Sequence, residues 1–414
     1  MIRLLSRLGL LLVLPLAVLA LLLALATSPA PAPGLSTALS VADMERGRRV
    51  WQILRPTHLR EGQSSRISLS AQDLSLGLHY LARRMGLSGA SATMQARHLT
   101  LHVTARIPGL PVPRYCNLAL TLRPDGDLLA PARLRLGALP LPAQPARHLL
   151  EWGLNLSALG GQYAVARAML RSAQLRDDRL WIDFVWHGRA LENAVSKGMG
   201  LDMAALEAYR HHLTGQRERE FTPLLGRAFS LAVARSRRGD PVRENRAALT
   251  ALAERVLGTR LTSVGGVSRA RQAGGGVRLD GRADFAQHFA LSAFLAATGG
   301  TDFSDAAGLY KELRDARQGS GFSFNDLAAD RAGSRLGNAA TRSARDARRI
   351  QTALAGTTHA GAFFPRVDDL PQFMPQREFE GRFGGIDTPA YQAMLERIDS
   401  RISSLPLYRR GNSE

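Results

Sequence analysis

The chain has 414 residues, is 45% hydrophobic and carries a formal net charge of +19, a length that exceeds what one core usually serves and so predicts two domains. The positive charge is almost wholly arginine, 52 of 54 basic residues, with Lys197 and Lys311 the exceptions. No block of like charges occurs, aromatics are 6% and no nucleic-acid motif is present, so the composition argues against nucleic acid and for a dispersed basic surface near anionic lipid.

Arg3 and Arg7 precede an uncharged stretch, Leu8 to Ala26, close to the roughly 20 residues that cross a bilayer as a helix. This predicts a membrane anchor or uncleaved signal over 1–27, with Ala24-Leu25-Ala26 as a cleavage site in the alternative. With the arginines on the cytoplasmic side, the expectation is a single-pass inner-membrane protein with the bulk of the chain periplasmic. No cysteine lies near Ala26, which excludes a lipoprotein anchor, and the Pro/Ala-rich stretch 28–40 reads as a stiff spacer.

Residues 41–187 read as an α+β domain. Ser70 with Asp73 marks a capping box, and Leu74, Leu78 and Leu81 recur at helical spacing, which predicts a helix from Ala71 to Met85. Leu99, Leu101, Val103, Ala105 and Ile107 alternate with His98, Thr100, His102, Thr104 and Arg106, the pattern of a sheet with one covered and one wet face. Cys116, Leu118, Leu120 and Leu122 repeat it, PDGD at 124–127 reverses the chain, and Ala132, Leu134 and Leu136 continue the meander. The prolines of LPLP at 139–142 should end it, a helix carrying Leu149, Leu150 and Leu154 follows, and LWIDFVW at 180–186 is a last strand. Cys116, the single cysteine, excludes an internal disulfide and thiolate zinc clusters.

Over 188–264 helix formers dominate, with Pro223 and Asp240-Pro241 as breaks and the charges around Arg217–Glu220 and Arg235–Arg238 as solvated faces. The glycine-rich stretch 265–276 reads as a loop, lacking the lysine and hydroxyl of a phosphate-binding P-loop. The remainder, 277–414, is expected to be a helical domain with a C-terminal arm.

The densest chemistry lies between Asp284 and Gly337. Asp284, His288 and Ser292 share a helical face; Lys311, Glu312 and Asp315 fall within one turn; Gly319-Ser320-Gly321 leads to Ser323, an N-cap with Asp326 at the third position; and Asp330 lies one turn beyond Asp326. Ala329, Gly333 and Gly337 form a small-residue stripe suited to close approach of the His288 helix. His288, Glu312, Asp315, Asp326 and Asp330 are the candidate catalytic residues, an imidazole and carboxylates being suited to acid/base work or divalent-metal ligation on a phosphoester or glycan. The competing structural reading has His288 bonded to a carboxylate and Asp326 capping a helix, since buried polar groups are usually satisfied. No cofactor is expected.

At His288-Phe289, Lys311-Glu312 with Asp315, Ser323 with Asp326, and Asp330 with Gly333, the chain resembles YfiM-like and VanZ-like envelope proteins, the Lys-Glu-x-x-Asp and Asp-x-x-x-Asp forms being nearer the former. The order of capped helix, meander, LRLGALPLP step, helix and final strand over about 65–187 resembles YpmS-like membrane-anchored extracytoplasmic proteins and, more faintly, tubular lipid-binding domains. These resemblances imply the cell envelope, with the inner membrane, anionic lipid, cell-wall components or an envelope protein as partners.

His98 and His102 stand about 13 Å apart at strand rise, too far to share a metal. His211-His212 point to different helix faces, QFMPQREFEGRFGG from 372 reads as a partner-binding arm that wraps the domain rather than a site, and Tyr391 to Ile402 as a closing amphipathic helix with Met394, Leu395, Ile398 and Ile402 inward. The whole reads as an α+β protein with an N-terminal membrane helix, an antiparallel-sheet domain and a mainly α-helical C-terminal domain. Its expected role is a binding or assembly component of the envelope, with a hydrolase centred on His288 as the alternative.

Overall fold

The computed structural model describes residues 21–32, 59–141 apart from 96 and 110–111, 160–188, 199–214, 218–261, 276–299 and 321–409 apart from 387, with isolated positions at 148 and between 190 and 196. It is a mixed α+β structure, antiparallel in its sheets, and divides into two compact units at Gly188/Arg189.

The first unit holds two sheets. One runs in the order β3 (Gly89–Gln95), β4 (His98–Arg106), β5 (Tyr115–Asp125), β6 (Leu128–Leu136), β7 (Leu139–Leu141), with β1 (Thr27–Ser28) also pairing with β5. The register sets like against like, Leu99 opposite Leu122, Leu101 opposite Leu120 and Val103 opposite Leu118, so the alternating leucines share one face. Gly126, at positive φ, lies in the tight turn that joins β5 to β6. LPLP does not end the meander: Leu139–Leu141 pairs with β6 as an edge strand, where Pro140 needs no ladder donor.

Helix α1 (Ala71–Arg84) begins with the expected capping box, the Ser70 hydroxyl accepting from the Asp73 N–H at 3.1 Å and Asp73 accepting from the Ser70 N–H at 2.8 Å. Ser75 of α1 accepts from the Ala92 N–H at 2.8 Å and so occupies a donor on the edge strand β3.

LWIDFVW belongs to a second, separate sheet, β2 (Ser64–Ser70), β9 (Arg179–Val185), β8 (Leu170–Arg176), the last strand following helix α2 (Gly160–Met169). Asp177 and Asp178 turn β8 into β9 at positive φ, the geometry of a two-residue hairpin. The alternation in SSRISLS at 64–70 becomes legible only beside its partner strand. Leu74, Leu78, Leu99, Ala92, Ala173 and Leu180 pack where α1 and the two sheets meet.

The expectation of a single-pass inner-membrane protein is corrected: among the described residues no helix is long and apolar enough to cross a membrane. Residues 1–20 lie outside the described residues, and 21–26 form a short helix that passes directly into β1. Of the expected spacer 28–40, residues 28–32 lie on the sheet and 33–40 fall outside the described residues. Thr27 pairs with Cys116, the Ala138 N–H donates to the Leu25 carbonyl at 2.7 Å, and Ala32 N–H and the Ala30 carbonyl bond Thr104 and Asn117. These contacts also bury Thr104, so the expected wet face of β4 is covered at that point.

The second unit is helical: α3 (Met203–Leu213), α4 (Phe221–Arg235), α5 (Pro241–Leu257), α6 (Ala283–Gly299), α7 (Phe324–Thr341), α8 (Ala344–Ala355), α9 (Gln376–Phe383) and α10 (Pro389–Ser403). Pro241 sits at the first position of α5 behind an Asp240 cap, and Pro223 in the first turn of α4, both tolerated because no intrahelical N–H is lost there. One core, from Ala205 to Leu407, takes residues from both sides of the glycine-rich loop, most of which lies outside the described residues.

A buried polar lattice runs through that core. Asn245 donates to the Ala340 and Ala347 carbonyls, and Gln351 donates to Asn245 and Ser236. Arg235, expected on a solvated face, instead reaches Glu244 at 2.7 Å, which also accepts from the fully buried Tyr209 at 2.9 Å. Burial, together with the Glu244 charge, pushes the Tyr209 phenol well above its ordinary value.

The segment expected to wrap the domain as a C-terminal arm packs into the helical unit. Phe379 and Phe383 of α9 are buried against Phe322, Phe324 and Tyr391, Phe379 stacking on Phe322 at 4.2 Å between centroids. Two phenylalanines one turn apart on a short helix find their burial inside the unit. Helix α10 turns Ile398 and Ile402 inward as expected, with Met394 and Leu395 at the margin of the core.

Candidate functional site

His288 lies in the middle of α6, a helix built from alanines and phenylalanines and buried on most of its circumference. It meets α7 through the expected small-residue stripe. A β-carbon at Gly333 would collide with the Phe289 carbonyl oxygen and one at Gly337 with the Ala293 carbonyl oxygen, so the glycines set how closely the helices approach. That approach carries Asp330 and Asp326 to the imidazole.

His288 Nδ1 is 3.0 Å from Asp330 Oδ2, and Nε2 is 3.9 Å from Asp326 Oδ2. The Ser292 hydroxyl donates to the other Asp330 oxygen at 2.7 Å. His288, Ser292, Asp326 and Asp330 are only 2–6% exposed. The structure therefore unites three of the five candidates, His288, Asp326 and Asp330. Glu312 and Asp315, with Lys311, lie outside the described residues.

Arg282, which the sequence pattern did not single out, joins Asp284 to this group. It donates to Asp284 at 3.1 and 2.5 Å and to Gln372 at 2.7 Å, and comes within 3.7 Å of Asp326. Its guanidinium carbon lies 4.0 Å from the Phe285 ring centroid and 5.6 Å from that of Phe373. Burial raises the Asp284 carboxyl, but the Arg282 hydrogen bond and charge outweigh it and hold the group below its ordinary value. The one signal in the sequence was the Arg-Ala-Asp spacing at the helix start.

Ser323 has the backbone of an N-cap, but its hydroxyl makes no cap bond and instead accepts the Phe373 N–H at 3.1 Å. Phe373, 56% exposed, has φ +55, a conformation that costs a non-glycine residue and is held here by that bond. Asp326, expected to complete the cap, instead lies 3.7 Å from Arg282 and 3.9 Å from His288, within ion-pair reach of both but beyond hydrogen-bond distance.

The order of the buried chain is hydroxyl, carboxylate, imidazole. A nucleophile activated by histidine needs the imidazole in the middle, taking the hydroxyl proton while the carboxylate orients the ring. Here Asp330 accepts from both neighbours, which satisfies all three groups and leaves Ser292 Oγ bonded to a carboxylate. Among the described residues no group of three or more His, Cys, Asp or Glu side chains is placed to hold a metal ion.

In the first unit His98 and His102 carry no second ligand within a metal group, and burial lowers the His102 imidazole below its ordinary value. His211 and His212 lie in the last turn of α3, where a positive charge suits the helix dipole.

No family model, no curated protein and no solved structure matches the chain.

Proposed function

We propose that the protein is a binding or assembly component of the bacterial cell envelope, with an anionic lipid or a cell-wall polymer as partner, and that the His288 cluster holds its helical unit together. The observation that carries this reading is the placement of His288, Ser292 and Asp330 inside the α6/α7 interface, 2–5% exposed and mutually bonded. Groups so satisfied serve the fold, and a substrate would have to separate α6 from α7 to reach them. The resemblance to YfiM-like and VanZ-like proteins in the second unit, and to YpmS-like proteins in the first, supplies the envelope and the partner classes.

A second reading, a hydrolase of an envelope phosphoester or glycan, draws on the position of His288 between two aspartates, Asp330 at 3.0 Å and Asp326 at 3.9 Å. The test is to measure stability and an envelope-sensitivity phenotype on the same His288→Ala and Asp326→Ala chains. A lowered melting temperature with a matching loss of function supports the binding component. Full stability with lost function selects the hydrolase.

A further inference from the structure

Helix α7 has a second polar edge, carrying Arg331 and Arg335 one turn apart with Asn338 beyond them. With Asp399 and Ser403 of α10 these residues border a cleft of about 190 Å³. The Arg331 charge is answered there: Nε and Nη2 donate to the two Asp399 oxygens at 2.7 and 2.5 Å. Arg335 is exposed, has no ion pair among the described residues, and rests its guanidinium carbon 5.4 Å from the Tyr408 ring centroid.

Among the described residues, charge in the cleft is therefore unbalanced. Asp399 is committed to Arg331, two like charges one helical turn apart repel, and Arg349 adds a third guanidinium nearby by donating to the Leu407 carbonyl at 2.7 Å. The Tyr408 hydroxyl is buried without a hydrogen-bond partner among the described residues. Of the two guanidinium groups that line the cleft, that of Arg335 has no counter-ion among the described residues.

We propose that this cleft is an oxyanion site that takes a phosphate or phosphate monoester group, held by the Arg335 guanidinium and the Asn338 amide. A planar guanidinium presents paired N–H donors that match two phosphate oxygens, and a cation–π contact holds that of Arg335 beside the Tyr408 ring. The volume suits a small anionic group, since pockets for drug-sized ligands begin at about 300 Å³. The cleft shares no side chain with the His288 cluster, so the site stands independently of the function proposed above.

The test titrates the full chain with inorganic phosphate and glycerol 3-phosphate by calorimetry, and separately with vesicles of phosphatidylcholine and phosphatidic acid by sedimentation. Arg335→Gln and Asn338→Ala are compared with Arg377→Gln, which removes an equal charge from an exposed position on α9. The expected result is saturable binding that weakens about tenfold or more in Arg335→Gln, weakens less in Asn338→Ala, and is unchanged in Arg377→Gln. Arg335-dependent binding of the soluble phosphates identifies a free ligand, and Arg335-dependent binding of the vesicles alone identifies a lipid headgroup. No binding in either arm, or equal weakening by Arg335→Gln and Arg377→Gln, overturns the proposal.

Discussion

Gly333 lies against the carbonyl oxygen of Phe289 so closely that not even a β-carbon fits between them. The contact fixes the distance between α6 and α7, and with it the reach of Asp330 to His288. Gly333→Ala should therefore destabilise the helical unit by about 1–3 kcal/mol through forced separation of the helices. Gly77→Ala, on the exposed side of α1 where an added β-carbon meets nothing within 4 Å, should instead stabilise the first unit by about 0.5–1 kcal/mol. Denaturant unfolding of both variants reads the two signs. A Gly333→Ala chain as stable as wild type would show that the helices move apart without cost.

His288→Ala should lower stability by about 1–3 kcal/mol, because it strips Asp330 of a buried partner. Ser292→Ala should cost less, since Asp330 then keeps the imidazole. Equal losses would mean that the two bonds do not share the carboxylate in the way the distances indicate.

Phe379→Ala and Phe383→Ala should each cost about 3–5 kcal/mol, the amount expected when a buried aromatic is truncated. A surface arm would tolerate both changes. Retention of the wild-type melting temperature in either variant would show that its ring adds nothing to the stability of the core.

Asp183 in β9 accepts from Arg66 at 2.5 and 3.0 Å and from Ser172 at 2.6 Å, and the Arg66 hydrogen bond, followed by that of Ser172, holds its pKa down from 3.8 to about 2. A carboxylate depressed in the folded state stabilises the fold while ionised. Its contribution is complete above the unfolded value near 3.8 and is lost as the pH falls toward about 2. Asp183→Asn should thus flatten the acid limb of the melting temperature of the first unit within that window and leave its shape near neutral pH unchanged. An unaltered acid limb would remove the carboxylate from the acid response.

Local pattern carried much of the architecture. Ser70 and Asp73 form their capping box from neighbours in the chain, the leucines of β4 and β5 face one way because strand side chains alternate, and Ile398 and Ile402 point inward because they lie one turn apart. The small-residue stripe at Gly333 and Gly337 was likewise legible, since nothing but close packing asks for glycine in the middle of a helix.

Long-range pairing was decided by the tertiary structure alone. LWIDFVW could have joined either sheet; its partners, 64–70 and 170–176, lie up to about 120 residues away and carry weaker alternation of their own. The N-terminal run from Leu8 to Ala26 has the composition of a span and lies mostly outside the described residues, but just after it Thr27 and Ser28 pair with the end of β5 that β6 leaves open, a long-range pairing that no local pattern encodes. At the His288 cluster the sequence supplied the residue types and their helical faces. Which carboxylate meets which imidazole nitrogen, and that Asp330 rather than His288 occupies the middle of the chain, depends on the crossing of α6 and α7, a relation between segments about forty residues apart that no local spacing encodes.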